Sequence, residues 1–369
     1  MEYVYQYLVF LAEAVTIVIA LLVVLSAVAG VSMRNAQHPQ AGHLRVEKIN
    51  DRVKELRHTL EAEVLPPGLV KKQHKVEAKA EARLVKEKTR AEKKATVSEA
   101  PGEVSTAPEA ADAHPQEDSA SGEGRVFVLR FEGDVKASAV DHLRTEVSAV
   151  LTMATPQDEV VVAVESPGGM VHGYGLAASQ LTRFRDKDIP LTVIVDKVAA
   201  SGGYLMAAVA SKIIAAPFAL VGSIGVVAQV PNVHRLLKKN DVDVEVITAG
   251  KHKRTLTTFG ENTEEGRQKF IEEIEDVHAL FQEFVQAYRP QLDMDTVATG
   301  EAWYGRRALD LKLVDELSTS DDYVLDACAR CDVFSVKWEE HKKPIDRVLG
   351  RVNGLLERVE QLMPPRAGV

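Results

Sequence analysis

Short, uninterrupted apolar runs alternate with helix-like segments from residue 125 onward, and this alternation limits the possible folds most strongly. The runs 126–129, 160–164 and 191–195 consist almost entirely of Val, Leu, Ile, Phe and Ala. The intervening segments 138–151 and 174–185 carry apolar residues at helical spacing. Continuous apolar strands separated by helices are typical of a mainly parallel sheet that is covered on both faces. We therefore predict an α/β domain.

Later segments extend this pattern. The sequence predicts further strands at residues 212–215, 224–228 and 242–248. A long helix is predicted to begin at Asn262, a good capping residue followed three positions later by Glu265, and to end near residue 288.

The part of the chain before this domain is divided by composition and charge. Residues 31–98 contain 16 Lys and Arg against 9 Asp and Glu, mixed at helical spacing and interrupted by Pro66-Pro67-Gly68. This pattern predicts two solvated helical pieces of a stalk and does not favour a nucleic-acid site. Residues 99–124 contain 7 acids, no Lys or Arg and few large apolar side chains, which predicts a flexible linker.

An uncharged, largely apolar run covers residues 14–31. It is long enough to cross a bilayer as a helix. The alternative is a cleaved signal peptide, because Ala27-Val28-Ala29 resembles a cleavage site, but the first seven residues contain no Lys or Arg. A retained membrane anchor is the prediction, and the basic residues that follow it would place the rest of the chain in the cytoplasm by the positive-inside rule.

The two cysteines, Cys328 and Cys331, form a single CxxC without further Cys or His ligands nearby in sequence. A structural zinc site needs four ligands, so we predict no metal site and no cofactor. A disulfide between them remains an alternative for a domain outside the cytoplasm.

Small residues cluster at 166–169, 199–203 and 222–225, each after a predicted strand. Open α/β sheets bind ligands at such strand ends. Ser201, flanked by Ala and Gly before a helical run at 204–210, resembles a nucleophile elbow with Ala in place of the first Gly. Small-residue turns before helices are common, so this motif alone leaves a purely structural role open.

A serine nucleophile needs a base. None of the 11 histidines lies in a setting typical of serine hydrolases, and His172 is the nearest candidate. A lysine can act instead if burial or neighbouring dipoles lower its pKa from about 10.4 far enough to leave it neutral. The loop 250–254 offers such lysines, although a solvated basic loop is the simpler interpretation of its composition.

Four motifs in order, Ser166-Pro167-Gly168-Gly169, Ala200-Ser201-Gly202-Gly203-Tyr204, Gly222-Ser223-Ile224-Gly225 and Gly250-x-x-Lys253, resemble the signal peptide peptidase A family of serine peptidases. The resemblance covers about residues 125–335 and is strongest to the short, single-domain SohB-type members. It implies a fold similar to Clp protease and crotonase domains, built from repeated ββα units. Lys312 departs from the closing motif of that superfamily, in which a glycine is usual.

The resemblance also implies roles for single residues. Ser201 matches the nucleophile, Lys253 the general base and Ser223 a serine that orients the lysine. Gly169, with Gly202, matches the oxyanion hole. In single-domain members the serine and the lysine of one site come from adjacent subunits, which implies a homo-oligomer.

These expectations give an anchor at residues 1–31, a charged helical stalk at 32–98, an acidic linker at 99–124, a serine peptidase domain at 125–335 and a C-terminal amphipathic helix at 336–369. The expected activity is a serine endopeptidase of the bacterial inner membrane that cleaves hydrophobic or signal-peptide-like segments. The family resemblance implies that the catalytic domain lies in the periplasm, whereas the positive-inside rule predicts the cytoplasm. Two alternatives stay open: a non-catalytic membrane scaffold, and a crotonase-like acyl-CoA enzyme on the same fold.

Overall fold

The computed structural model describes residues 42–72, 74–76, 79, 83, 86 and 124–340. The predicted anchor at 14–31, residues 99–123 of the predicted linker and the apolar stripe at 345–362 lie outside these residues. In the described part of the chain, no helix combines the length and apolar character needed to cross a membrane.

The described chain divides into two units. Residues 46–337 form the larger unit, and residues 42–45 with 338–340 are the described part of the smaller one. Within the smaller unit, Arg45 Nη1 lies 3.2 Å from Glu339 Oε1.

Strands and helices alternate along the sequence, as expected for an α/β fold. The elements are β1 (Gly42–Lys48), α1 (Ile49–Val64), β2 (Val126–Glu132), α2 (Val140–Leu151), β3 (Glu159–Glu165), α3 (Val171–Arg185), β4 (Leu191–Val195), β5 (Val198–Ala200), α4 (Gly202–Ala208), β6 (Lys212–Ala215), β7 (Leu220–Gly222), α5 (His234–Lys239), α6 (Glu264–Tyr288), α7 (Met294–Val297), β8 (Ala302–Tyr304), α8 (Gly305–Asp310), β9 (Glu316–Leu317), α9 (Ser320–Arg330) and β10 (Val333–Glu340).

Seven strands form the main sheet in the order β1-β10-β2-β3-β4-β6-β9. All pairs from β10 to β9 are parallel, with Val126 beside Glu159 and Val160 beside Leu191 in register. A smaller sheet has the order β5-β7-β8, in which β5 and β7 are parallel and β7 and β8 antiparallel. The predicted α/β class is thus confirmed.

The centre of the main sheet is buried on both faces. Strand β4 is buried along its whole length, and β2 and β3 expose almost no apolar side chain. Helices α3 and α4 pack on this sheet through Tyr174, Leu181, Phe184, Tyr204 and Met206, none of which is exposed. This burial explains why the strands are apolar at nearly every position and do not alternate with polar residues.

Helix α1 is attached to the domain at its first turn. The Asn50 side chain donates to the carbonyls of Cys328 and Cys331, at 3.1 and 2.9 Å, and accepts from the Val333 N–H at 2.8 Å. Chain on both sides of Pro66 is helical, since residues 67–72 and 74–76 follow α1. The predicted helix break at this proline is therefore confirmed.

Several sequence predictions are wrong in detail. Residues 224–228 and 242–248 form no strand, because their backbone pairs with no other strand among the described residues of the same chain. The cap of α6 is Thr263, which accepts from the Gly266 N–H at 3.1 Å, whereas Asn262 accepts from Thr257. The short strand β5, which directly precedes Ser201, was not predicted at all.

Lys312 closes the turn after α8 in a left-handed conformation, with φ of 62°. Its N–H donates to Leu309, and the Leu313 N–H donates to Ala308. The backbone at Lys312 therefore makes the turn for which a glycine is usual. A lysine in this left-handed conformation is strained, whereas a glycine would not be.

Candidate active site

Ser201 occupies a strained turn between β5 and α4. Its backbone has φ of 51° and ψ of −118°, a region that non-glycine residues avoid. Although Ser201 is the first flanking residue of α4, its side chain makes no capping hydrogen bond to that helix. The turn thus presents a half-buried hydroxyl that the backbone does not use. This geometry is that of a nucleophile elbow.

Backbone hydrogen bonds from both sheets fix this turn. The Ala200 N–H donates to the Ser166 carbonyl at 3.0 Å, and the Ser201 N–H donates to the Gly222 carbonyl at 2.8 Å. Ser166 also pairs with Ala199 as an isolated parallel bridge. Strand β5 therefore lies between the ends of β3 and β7, and the strain at Ser201 is held by contacts on both sides.

The loop after β3 lies directly against Ser201. Gly168 has φ of +89°, and a Cβ on it would come 2.7 Å from Ser201 Cβ and 2.9 Å from the Gly202 nitrogen. A Cβ on Gly169 would come 2.1 Å from the Val135 carbonyl oxygen. Only glycine fits at these two positions, because the neighbouring atoms are backbone or the serine itself.

Two backbone N–H groups at this contact have no hydrogen-bond partner among the described residues, those of Gly169 and Gly202. Gly202 is the first residue of α4, where the N–H groups have no intrahelical acceptor. Unused donors beside a serine hydroxyl are the components of an oxyanion hole.

A chain of hydrogen bonds holds the Gly168 loop. The Gly168 N–H donates to Ser166 Oγ at 3.0 Å, Ser166 Oγ is hydrogen-bonded to the Tyr174 hydroxyl, and that hydroxyl donates to the Asp134 carbonyl at 2.8 Å. Burial raises the pKa of Tyr174, so its hydroxyl keeps the proton that it donates. Sequence reasoning missed Tyr174 and Asp134, since nothing in the sequence joins residues so far apart.

Ser223 follows β7 and is partly exposed. Its backbone has φ of 52°, its N–H donates to the Glu301 carbonyl at 2.6 Å, and its hydroxyl donates to the Gly300 carbonyl at 3.3 Å. It is adjacent in sequence to Gly222, which accepts from Ser201. The structure therefore brings Gly168, Gly169, Ser201 and Gly202 together. Ser223 follows Gly222, the residue whose carbonyl binds the Ser201 N–H.

Lys253 is not part of this constellation within one chain. It lies in the exposed loop 250–254, where its N–H donates to the Gly250 carbonyl at 3.2 Å. In the described residues, no hydrogen bond or ion pair joins its side chain to Ser201 or Ser223. The neighbouring Lys251 forms an ion pair with Glu265 at 2.9 Å.

The segment 223–262 that carries Lys253 exposes large apolar side chains. Val227 and Ile247 are 85% and 90% exposed, and this apolar loop surface also includes Val230, Leu236 and Phe259. Phe218, in the turn before β7, and Tyr304, at the end of β8, are also exposed and contact each other edge to face. Apolar exposure on this scale is typical of a surface that another protein covers.

Comparison with known proteins identifies the family of this chain. The model of the peptidase family S49 N-terminal region matches residues 2–181, and the model of peptidase family S49 itself matches residues 183–333. The chain belongs to peptidase family S49. The division at residue 182 falls inside α3, so the second match contains Ser201, Ser223 and Lys253, whereas Gly168 and Gly169 lie in the first.

Two curated relatives of this chain are proteases by name. The chain is 59% identical over 226 residues to "Probable protease SohB" of Haemophilus influenzae, which is 61% of this chain and 64% of that protein. It is 51% identical over 228 residues to the protein of the same name from Buchnera aphidicola subsp. Acyrthosiphon pisum, which is 62% of this chain and 68% of the relative. The matched part thus spans about two thirds of these relatives.

A mutant of a membrane-bound stomatin-specific protease is similar in structure over 56% of this chain and 85% of its own, at 12% identity and a TM-score of 0.38. This value is too low to support a conclusion about the site.

Proposed function

We propose that this S49 family member is a serine endopeptidase in which Ser201 is the nucleophile. The observation that carries the proposal is the backbone of Ser201, with φ of 51°, beside the unused N–H groups of Gly169 and Gly202. A peptide carbonyl placed against this hydroxyl would have both donors available for its oxygen. Removal of one such donor typically costs about 2.7–4 kcal/mol of transition-state stabilisation.

In the proposed reaction, Ser201 Oγ attacks the peptide carbonyl and its proton passes to the neutral amine of Lys253. The protonated lysine then donates to the leaving amine, which releases the new amino terminus and leaves an acyl-enzyme. A water molecule gives its proton to the same lysine and attacks the ester. As the ester bond breaks, the lysine returns this proton to Ser201 Oγ, which frees the serine. The Ser223 hydroxyl orients the lysine amine in this scheme.

The lysine is proposed to come from a neighbouring copy of the chain. Two observations support this: within the described part of its own chain, Lys253 forms no hydrogen bond with Ser201, and the segment that carries it exposes Val227 and Ile247. Association through the apolar loop surface would bury these side chains and bring an amine into a neighbour's site. Burial in such an interface favours the neutral amine, the form that can accept a proton.

Mixing two inactive variants tests this arrangement. Ser201→Ala and Lys253→Ala are each expected to lose peptide hydrolysis, whereas Lys251→Ala, two residues from the proposed base, should keep it. If the dyad is shared between subunits, co-assembly of the two variants at equal amounts restores roughly a quarter of the sites. Hydrolysis unchanged in both single variants would remove the dyad.

The proposed substrates are hydrophobic or signal-peptide-like segments at a membrane. The apolar run at residues 14–31 supports an anchor, because its length suffices for a bilayer. We propose a single-pass inner-membrane protein with the catalytic domain on the periplasmic side, as the resemblance to its family implies. A reporter fused to the carboxyl terminus tests on which side of the membrane the catalytic domain lies. The basic residues after the apolar run favour the cytoplasmic side instead.

A further inference from the structure

The loop that carries Lys253 is closed at its base by packing between its two ends. A Cβ on Gly260 would lie only 2.7 Å from Val246 Cγ2, so the chain before the loop packs against the chain that returns from it. We call residues 255–260 the returning arm. Since residues 250–254 are exposed, the place of Lys253 depends on what holds this arm.

A close backbone contact joins the returning arm to the first turn of α6. Gly266 is the third residue of that helix, and its N–H donates to Thr263 Oγ1 at 3.1 Å. A Cβ on Gly266 would lie 2.3 Å from the Thr255 carbonyl oxygen, whereas ordinary contacts of a Cβ begin at 3.4 Å. Only glycine therefore admits Thr255, which follows Lys253 by two residues, to this position on the helix.

Hydrogen bonds from the chain before α5 hold the rest of the returning arm. The Asn232 side-chain amide donates to the Thr257 carbonyl at 2.9 Å and to the Gly260 carbonyl at 3.0 Å. The Val233 N–H donates to the Thr258 carbonyl at 2.8 Å. These lengths are those of well-formed hydrogen bonds. The returning arm is thus fixed at both of its ends, to α6 at its start and to the beginning of α5 beyond.

An ion pair also joins the loop to α6, but it contributes less than the backbone contact. Lys251 Nζ lies 2.9 Å from Glu265 Oε1, and the two side chains are 73% and 72% exposed. Exposed pairs of this kind contribute at most about 1 kcal/mol and are screened by salt. The contact between Gly266 and Thr255 is different, because backbone atoms cannot turn away from an added side chain as a flexible lysine can.

We propose that Gly266 is a positioning residue for Lys253, because it lets the Thr255 carbonyl pack on α6 and so fixes the loop from which the lysine side chain extends. The inference rests on the proposed function, in which Lys253 is the base. An alanine at position 266 would displace Thr255 by about 1 Å. A misplacement of that size can lower the rate of an otherwise intact site by up to about 100-fold.

Steady-state kinetics of Gly266→Ala with a peptide substrate test this role. We expect kcat to fall at least about tenfold while KM stays within about twofold, because the serine and the oxyanion donors keep their places. Alanine is favoured over glycine inside a helix by about 0.5–1 kcal/mol, so α6 itself should remain folded. Gly175→Ala is the matched control, since this helical glycine has no atom within 4 Å of an added Cβ and should keep the kinetics of the parent.

A second variant releases the returning arm without adding an atom to α6. Asn232→Asp keeps the oxygen that accepts from the His234 N–H, but it loses the amide that donates to the two carbonyls of the arm. We expect the same fall in kcat at unchanged KM, together with faster amide exchange at residues 255–260 in both variants. Asn240→Ala is the control, because this asparagine donates to the Leu236 carbonyl within α5 and not to the arm.

A double variant shows whether Gly266 acts through the lysine. The slow modification of Ser201 by a fluorophosphonate is followed in Lys253→Ala, and adding Gly266→Ala should slow it no further. A further loss there, or parent-like kcat in Gly266→Ala while Lys253→Ala is inactive, would overturn the positioning role and leave the proposed function standing. Sedimentation velocity should give the parent's assembly size, and dissociation of Gly266→Ala would assign the loss to assembly instead. Full activity of Lys253→Ala would overturn the proposed base and this inference with it.

Discussion

Gly168 and Ser201 are in direct contact: a Cβ on Gly168 would lie 2.7 Å from the Cβ of Ser201. The contact joins the loop after β3 to the turn before α4, and neither element could approach the other with a larger residue at position 168. The position of the serine hydroxyl is therefore decided by a residue 33 positions earlier in the chain.

Gly168→Ala should reduce peptide hydrolysis by at least about 100-fold, because the added methyl group displaces both Ser201 and the N–H of Gly202. The positive φ of Gly168 adds about 1–2 kcal/mol of strain for alanine. Steady-state kinetics with a peptide substrate and thermal unfolding measure the two effects. Gly175→Ala in α3 is the control, since a Cβ there meets no atom within 4 Å. Full activity of Gly168→Ala would show that the contact does not position the serine.

Tyr174→Phe removes the hydroxyl that links Ser166 to the Asp134 carbonyl. We expect a loss of about 1–3 kcal/mol in the free energy of unfolding, because the buried hydroxyl of Ser166 loses its hydrogen-bond partner. We also expect a lower kcat with little change in KM, since the loop at Gly168 shifts while the substrate-binding surface remains. Chemical denaturation and kinetics check this prediction, and a change in KM alone would contradict the positioning role.

Lys312→Gly should raise the free energy of unfolding by about 1 kcal/mol, because glycine adopts the φ of 62° without the steric cost borne by lysine. The carbonyl of Lys312, which accepts from Arg289 Nη2 at 2.8 Å, is retained in this variant. Lys312→Ala keeps the cost and serves as the control, so its stability should stay near that of the parent. Equal stability of all three proteins would show that the turn is unstrained.

The lowered pKa of Asp158 predicts that the protein loses stability in acid. Burial alone would raise its pKa, but hydrogen bonds from the Arg125 side chain and backbone and from Thr155 lower it to about 2. Since the folded pKa lies below the unfolded value of about 3.9, the stabilisation is present above that value and is lost as the pH falls toward 2.

The contribution of Asp158 is on the order of 1–2 kcal/mol after allowance for solvent screening. Urea unfolding of the parent and of Asp158→Asn should therefore give a difference at pH 6 that shrinks at pH 3. A difference that does not change with pH would assign the effect to hydrogen-bond geometry instead of charge.

The strands at the centre of the sheet could be predicted because burial on both faces leaves them apolar at nearly every position. Residues 191–195 and 212–215 match β4 and β6, and the predicted helices at 138–151 and 174–185 match α2 and α3 to within three residues. The segment 224–228 is similarly apolar, and 242–248 alternates apolar and polar residues as a half-buried strand would, but neither forms a strand. A strand needs a partner as well as a suitable composition, and these segments have none among the described residues of their own chain.

Sequence alone determined the α/β class, the position of Ser201 before a helix and the glycines beside it, because each depends on local composition or on a short motif. Only the tertiary structure decided that Ser201 takes a strained backbone between two sheets, that Tyr174 holds the Gly168 loop and that Lys253 lies apart from the serine in one chain. These relationships join residues that are distant in sequence, and their contacts exist only once the sheets and helices have packed.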